Sequence, residues 1–199
     1  MFTGIVQGVG TVYAIEDRER LRIITISLGS LAEGVKQGAS VAIAGTCLTV
    51  TGIVEDRVTF EVIGETLDRT TFGALKVGDR VNVERSAKVG DEIGGHAVSG
   101  HITGTAVVRA VETPSTNERI LTLRVDPAWM TYIFSKGFIA LDGCSLTVVD
   151  TGLDWFTVHL IPETLRHTTF ARKAVGNGVH LEIDAMTRAA VDASLERRV

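Results

Sequence analysis

The sequence predicts an all-β protein made of two tandem copies of one small antiparallel barrel, closed by a carboxy-terminal α-helix. Three observations predict it: an internal repeat, short β-type runs punctuated by turn residues, and a helical pattern confined to the last fifteen or so positions. GTCLTV from Gly45 returns as GCSLTV from Gly143, and ETLDRTTF from Glu65 returns as ETLRHTTF from Glu163. RIITI from Arg22 matches RILTL from Arg119, and TGIVQG from Thr3 matches SGHITG from Ser99. Four blocks in the same order, at near-constant separation, mark a duplicated domain.

Within each copy, runs such as RIITISL, SVAIAG, CLTVTGI, RVTFEVIG and RVNVER alternate or are β-branched, and Gly, Asp and Asn bound them. Asp142-Gly143 and Asn177-Gly178 are turn signals. One short helical piece recurs, at Glu65–Thr71 and Glu163–Thr169. Short antiparallel strands must bury one face and hide their edges, which a small closed barrel does economically. The glycine-rich stretch from Lys88 to Gly100 reads as the linker, with the boundary near His96, giving domains 1–96 and 97–184. The tail 185–199 reads as a helix: Ala185, Ala189 and Ala193 share one face, Val191, Leu195 and Val199 another, with Arg197 and Arg198 suiting the dipole at its end.

The 199 residues suffice for two cores, and 45% hydrophobic with 22% charged residues is a soluble globular balance. A net charge of −4 with 6% aromatics argues against a nucleic-acid-binding barrel, which needs basic grooves and stacking rings. No basic, apolar leader and no long apolar run is present, and two cysteines make no disulfide framework, so a reduced cytoplasmic protein without membrane partners is expected. No metal-ligand cluster or dinucleotide fingerprint occurs, so no cofactor is expected.

A duplicated barrel with matching polar residues suggests two related binding sites. Cys47 and Thr49 share one strand face and Leu48 and Val50 the other; Ser145 and Thr147 repeat the arrangement. If the Leu/Val face is core, the polar face looks into a pocket or solvent. Cys144, one position out of register, reads as packing. Free cysteine is most often a small buried hydrophobe, and a lone histidine such as His101, in a strand-like SGHI segment, is most often structural. His96 and His101 fall on opposite faces if extended, which disfavours a metal site. Asp184 precedes the last helix, where Asp is a favoured N-cap. His159, His167 and His180 carry no motif.

MFTGIVQG, GTCLTV, the ETL–TT turn, VNVERSAKVGDEIGGHAVSGHI, KGFIALDGCSLTV and HLIPETLRHTTF together resemble the riboflavin synthase family along nearly the whole chain. The resemblance implies two six-stranded antiparallel Greek-key β-barrels with a carboxy-terminal helix. It implies a homotrimer in which each active site joins barrels of two subunits, with lumazine synthase as a further associate. The implied reaction moves a four-carbon unit between two 6,7-dimethyl-8-ribityllumazines, giving riboflavin and 5-amino-6-ribitylamino-uracil. A duplicated domain suits a reaction whose donor and acceptor are the same molecule.

Carried over by position, the amino-terminal site takes Gly4, Ile5, Val6, Cys47, Leu48, Thr49, Glu61, Val62, Ile63, Gly64, Glu65 and Thr66. The carboxy-terminal site takes Gly100, His101, Ile102, Ser145, Leu146, Thr147, Leu160, Ile161, Pro162, Glu163, Thr164 and Leu165, with Lys136 reaching into a neighbouring subunit. The resemblance makes Cys47 a nucleophile or polar partner, His101 a proton carrier for the C7 methyl group, and Ser145 and Asp184 catalytic partners. The halves differ at Cys47 against Ser145, Ile5 against His101 and Ser86 against Asp184. The alanine-rich last helix departs from the family's aromatic and basic pattern, and Gly64, at a position often larger in relatives, implies a looser pocket. The competing function is a non-catalytic lumazine- or flavin-binding protein of the same fold, which loses reactive residues in one half.

Overall fold

In the computed structural model, which describes residues 1–197, each repeat closes into its own six-stranded antiparallel barrel. The first contains β1 (Gly8–Arg18), β2 (Leu21–Ser27), β3 (Ser40–Ile43), β4 (Thr46–Val54), β5 (Arg57–Ile63), α1 (Gly64–Arg69) and β6 (Arg80–Arg85). The second contains β7 (Gly104–Ser115), β8 (Glu118–Arg124), β9 (Phe138–Leu141), β10 (Cys144–Thr151), β11 (Trp155–Leu160), α2 (Pro162–His167) and β12 (Gly178–Ile183). Around the first barrel the order is β1-β2-β5-β4-β3-β6, and the second repeats it as β7-β8-β11-β10-β9-β12. The helix α3 (Ala185–Glu196) follows.

The alternation legible in the sequence sets which face is inside. On β5, Val58, Phe60 and Val62 are fully buried while Glu61 and Ile63 are exposed. Each barrel has a separate apolar core, and Phe72 and Phe170 of the repeated TTF sequence sit in them, so those positions serve packing. A third, small cluster of Phe2, Ala42, Val98 and Ala140 lies where the two barrels meet.

The β3–β4 and β9–β10 hairpins turn on Ala44-Gly45 (φ 44° and 80°) and Asp142-Gly143 (φ 43° and 81°), two left-handed residues each, as a tight hairpin of this hand requires. Asn177-Gly178 is not the turn the dipeptide signals. The left-handed residue is Gly176, Gly178 opens β12, and the Asn177 side chain accepts from the Ala174 N–H at 2.9 Å. His101 also departs from expectation: β7 begins only at Gly104, so His101 is an exposed loop residue rather than a strand residue.

Helix α3 buries none of its described side chains. It is capped by Asp184, whose carboxylate accepts from the Thr187 N–H (2.9 Å) and hydroxyl (2.6 Å), and it is tied down by the Tyr132 hydroxyl, which donates to Asp192 at 2.7 Å. Arg197 ends it; Arg198 and Val199 lie outside the described residues.

Candidate functional site

The two barrels are closed but each has a notch. Residues 46–49 of β4 pair with β3, yet pairing to β5 starts only at Val50. Residues 144–147 of β10 likewise pair with β9, and pairing to β11 starts at Val148. Open backbone groups must find a partner. They find it in the other repeat. The Cys47 N–H donates to the Gly100 carbonyl at 3.0 Å, and the Ser145 N–H donates to the Gly4 carbonyl at 2.8 Å.

The segments before β1 and β7 therefore cross over. Phe2 and Val98 form a two-way backbone bridge at 2.8 and 3.0 Å, after which the chains part: residues 4–6 run along β10, residues 100–102 along β4. Val6 belongs to the core of the carboxy-terminal barrel. Gln7 and Thr103 then rejoin their own barrels through Val83 and Leu181. Gly4 (φ 74°) and Gly100 (φ 84°) make the crossing possible. A Cβ on Gly4 would lie 2.6 Å from the Ser145 Cβ, and one on Gly100 would lie 2.5 Å from the Cys47 Cβ.

Each crossing is clamped by a buried carboxylate on the last strand of its own barrel. Glu84 accepts from the Thr3 N–H (2.6 Å) and hydroxyl (2.8 Å) through Oε1. Glu182 accepts from the Ser99 N–H (2.7 Å) and hydroxyl (2.8 Å) and, through Oε2, from the Gly100 N–H (2.9 Å). Among the described residues Glu84 Oε2 is buried without a hydrogen-bond partner, and burial raises the Glu84 pKa despite the opposing bonds from Thr3.

Two pockets result, each beside one notch and roofed by the helix of the ETL motif. One, of about 250 Å³, is lined by Thr46, Cys47, Glu65, Thr66, Arg69, Thr70, Gly100, His101 and Ile102. The other, of about 420 Å³, is lined by Gly4, Ile5, Val6, Cys144, Ser145, Ile161, Glu163, Thr164, His167 and Thr168. They share no residue. The grouping of Gly4, Ile5 and Val6 with Cys47, and of Gly100, His101 and Ile102 with Ser145, is thereby corrected: the segments are exchanged, and His101 lies in the same pocket as Cys47. A wider depression of about 550 Å³ between Arg80, Arg172 and Lys173 holds neither cysteine nor Ser145 nor His101.

Other expected site residues are placed differently. Leu48, Val62, Leu146 and Leu160 are buried in the barrel cores, so their side chains face away from the pockets. Thr49, Thr147, Glu61 and Ile63 are exposed on the strands but line neither pocket within the chain. Lys136, in a left-handed turn (φ 67°), and Asp184 also stand outside both walls. Gly64 lines neither pocket; a Cβ there would meet the exposed guanidinium of Arg20, which pairs with Asp68 at 2.9 Å.

Cys144 is buried and its thiol is pushed up to about 12 by burial and then by the Glu84 and Asp142 charges, whereas Cys47 is only half-buried and lines a pocket. The Asp184 carboxyl is held below its ordinary pKa: burial acts to raise it, but the bonds from Thr187 and Met186 outweigh that. Residues without a motif signal also enter. Arg69 and His167 are equivalent positions of the repeat and line opposite pockets, so the repeat itself was the signal for them. His96 contacts Ser145, Nδ1 to Oγ 2.7 Å, and only packing reveals it.

Residues 3–86 and 99–184 each match the lumazine binding domain. The chain is 49% identical to riboflavin synthase of Escherichia coli (strain K12), over 96% of this chain and 91% of that protein. Among solved structures it is similar to LumP complexed with riboflavin (TM-score 0.85, 28% identity) and to LumP complexed with 6,7-dimethyl-8-(1'-D-ribityl) lumazine (TM-score 0.84, 26% identity). Each comparison covers 92% of this chain and 99% of the other. Two notched barrels with exchanged segments, both matching one binding domain and aligned throughout with a synthase, lead to one statement: the chain belongs to the riboflavin synthase family.

Proposed function

We propose that the protein converts two molecules of 6,7-dimethyl-8-ribityllumazine into riboflavin and 5-amino-6-ribitylamino-uracil by transfer of a four-carbon unit. The observation that carries this is the pair of pockets built from equivalent pieces of both repeats, which suits a donor and an acceptor of identical structure. Their differences suit unlike roles. One combines Cys47, His101 and Arg69; the other combines Ser145, Ile5 and His167. His101 is the proton carrier for the acidic C7 methyl group of the lumazine beside Cys47. Ser145 holds the second molecule, and Asp184 assists at that site.

Transfer needs the two rings in contact, whereas the pockets of one chain have no common wall. That favours a homotrimer in which a Cys47 pocket meets the Ser145 pocket of a neighbour, with Lys136 reaching across and the tail from residue 185 serving assembly. The barrels then act as units 1–96 and 97–184. We assign the protein to the cytoplasm, with lumazine synthase as an associate. No described helix is long and apolar enough to cross a membrane.

The test is to mix purified protein with 6,7-dimethyl-8-ribityllumazine and follow riboflavin absorbance. One riboflavin should form for every two lumazines consumed. Tight binding of lumazine with no product would favour a binding protein instead.

A further inference from the structure

His101 enters the Cys47 pocket on a segment that β12 fastens at both ends. At the near end the buried Glu182 carboxylate accepts from the Ser99 N–H (2.7 Å), the Ser99 hydroxyl (2.8 Å) and the Gly100 N–H (2.9 Å). At the far end the Thr103 N–H donates to the Leu181 carbonyl (2.8 Å), and the Thr103 hydroxyl oxygen accepts from the Ile183 N–H (3.2 Å). Between these anchors the Gly100 carbonyl accepts from the Cys47 N–H. The His101 N–H turns back and donates to Ser99 Oγ at 3.1 Å.

Chemistry fixes the direction of that last bond. The single hydrogen of the Ser99 hydroxyl is spent on Glu182, so its Oγ is left to accept from His101. This chain of carboxylate, hydroxyl and amide sets where the His101 backbone stands, and with it the imidazole in the pocket shared with Cys47. The other crossing is held less completely. Thr3 and Ile5 repeat the two bonds on Glu84, at 2.8 and 3.3 Å. Among the described residues, however, Glu84 Oε2 has no hydrogen-bond partner, where Glu182 Oε2 holds Gly100. The fuller clamp falls on the crossing that carries a titratable side chain, and the lesser one on the crossing that carries Ile5.

We infer that Ser99, anchored on buried Glu182, is a positioning residue for His101, fixing the imidazole for proton transfer at the C7 methyl group of the lumazine in the Cys47 pocket. The same device in the other half only docks a segment, so one repeated motif serves two unlike duties. The inference rests on the reading that His101 is the proton carrier.

The test uses the full-length protein with Ser99→Ala, Ser99→Thr, His101→Gln and the double variant combining Ser99→Ala with His101→Gln. Alanine removes the two bonds of the hydroxyl but leaves those of the Ser99, Gly100 and Cys47 N–H groups, which keep the segment docked. Threonine is what the other repeat uses at the equivalent Thr3. Turnover with 6,7-dimethyl-8-ribityllumazine and protection of Cys47 from a thiol reagent by the same lumazine are measured. His101→Gln should lower kcat at least about a hundredfold, as loss of a general acid–base group does. Ser99→Ala should lower kcat about tenfold, with KM and Cys47 protection within about twofold of the parent, because a misplaced group still lets substrate bind. Ser99→Thr should keep most of the parent kcat. In the His101→Gln background, Ser99→Ala should cost less than about twofold, since no imidazole is left to position. A loss that recurs undiminished in that background would overturn the inference, as would parent-like kcat in Ser99→Ala, a loss confined to KM, or equal losses in Ser99→Ala and Ser99→Thr. Parent-like turnover in His101→Gln would instead count against His101 as the proton carrier, and absence of product from the unsubstituted protein against the proposed function; the inference would fall with either.

Discussion

Exchange of the crossing segments is tested by adding one methyl group to Gly100. Its Cβ would lie 2.5 Å from the Cys47 Cβ and 2.7 Å from the Cys47 nitrogen, against about 3.5–4.0 Å for an ordinary contact, so the segment must retreat by about 1 Å. That retreat breaks the 3.0 Å bond from the Cys47 N–H to the Gly100 carbonyl, costing about 1 kcal/mol. Alanine in the left-handed conformation (φ 84°) adds about 1–2 kcal/mol. The sum, about 2–3 kcal/mol, lowers the docking equilibrium constant of the segment by about 30- to 150-fold. Because that segment is one wall of the Cys47 pocket, lumazine binding there should weaken by up to a comparable factor. The assay is the rate of Cys47 modification by a thiol reagent with increasing 6,7-dimethyl-8-ribityllumazine; Cys144 stays silent, with its thiol near 12. Gly100→Ala should need far more lumazine for protection, while Gly4→Ala, which collides with Ser145, should leave protection of Cys47 intact. The opposite result, with Gly4→Ala abolishing protection and Gly100→Ala sparing it, would refute the crosswise arrangement.

Three further outcomes are expected. His180 is 1% exposed at the junction of the barrels; its Nδ1–H donates to the Ala44 carbonyl (2.9 Å) and its Nε2 accepts from the Thr71 N–H (2.9 Å). Burial lowers its pKa below the ordinary 6.5, so its contribution is intact above that pH. As pH falls through 6.5 the unfolded chain gains a proton that the folded one refuses, and stability should drop by up to about 1.4 kcal/mol per pH unit. The equivalent Asn82 makes the same two bonds, to Asp142 and Thr169, so His180→Asn should fold and show a shallower fall of melting midpoint between pH 6.5 and 5.5, His96 supplying the remainder. For Asp184, the Ala variant should lose about 1 kcal/mol of helix stability, whereas Asn should keep the cap; turnover lost in Asp184→Asn at an unchanged melting midpoint would identify a chemical role beyond capping. Finally, mixing Cys47→Ala with Asp184→Ala protein should restore activity after subunit exchange if sites form between chains; confirmed exchange without rescue would argue for sites within one chain.

Much of the architecture was legible in the sequence because it depends on local chemistry. Alternation in RVTFEVIG states which side of β5 faces the core, and Asp142-Gly143 states where a hairpin turns, since neighbouring residues alone decide both. The motifs also brought Cys47, Ser145, the ETL turns and the two glycine segments to notice. Failures came where a local signal had two solutions: Asn177-Gly178 marks a turn without saying which glycine is left-handed, and SGHI reads as strand until its backbone bonds go to Glu182 and Cys47 rather than into a ladder.

By itself the sequence determined that there are two like barrels, where their strands run, and which short segments recur in both halves. Only the tertiary structure decided which segment completes which pocket. Duplication makes Gly4 and Gly100 locally equivalent, and each can satisfy the open backbone of either notch; the choice depends on how the barrels pack about Phe2 and Val98, a contact between residues far apart in the chain. The same holds for His96 and His180. Their burial, their neutral state and their partners arise from surfaces that the fold brings together, and no spacing along the chain encodes them.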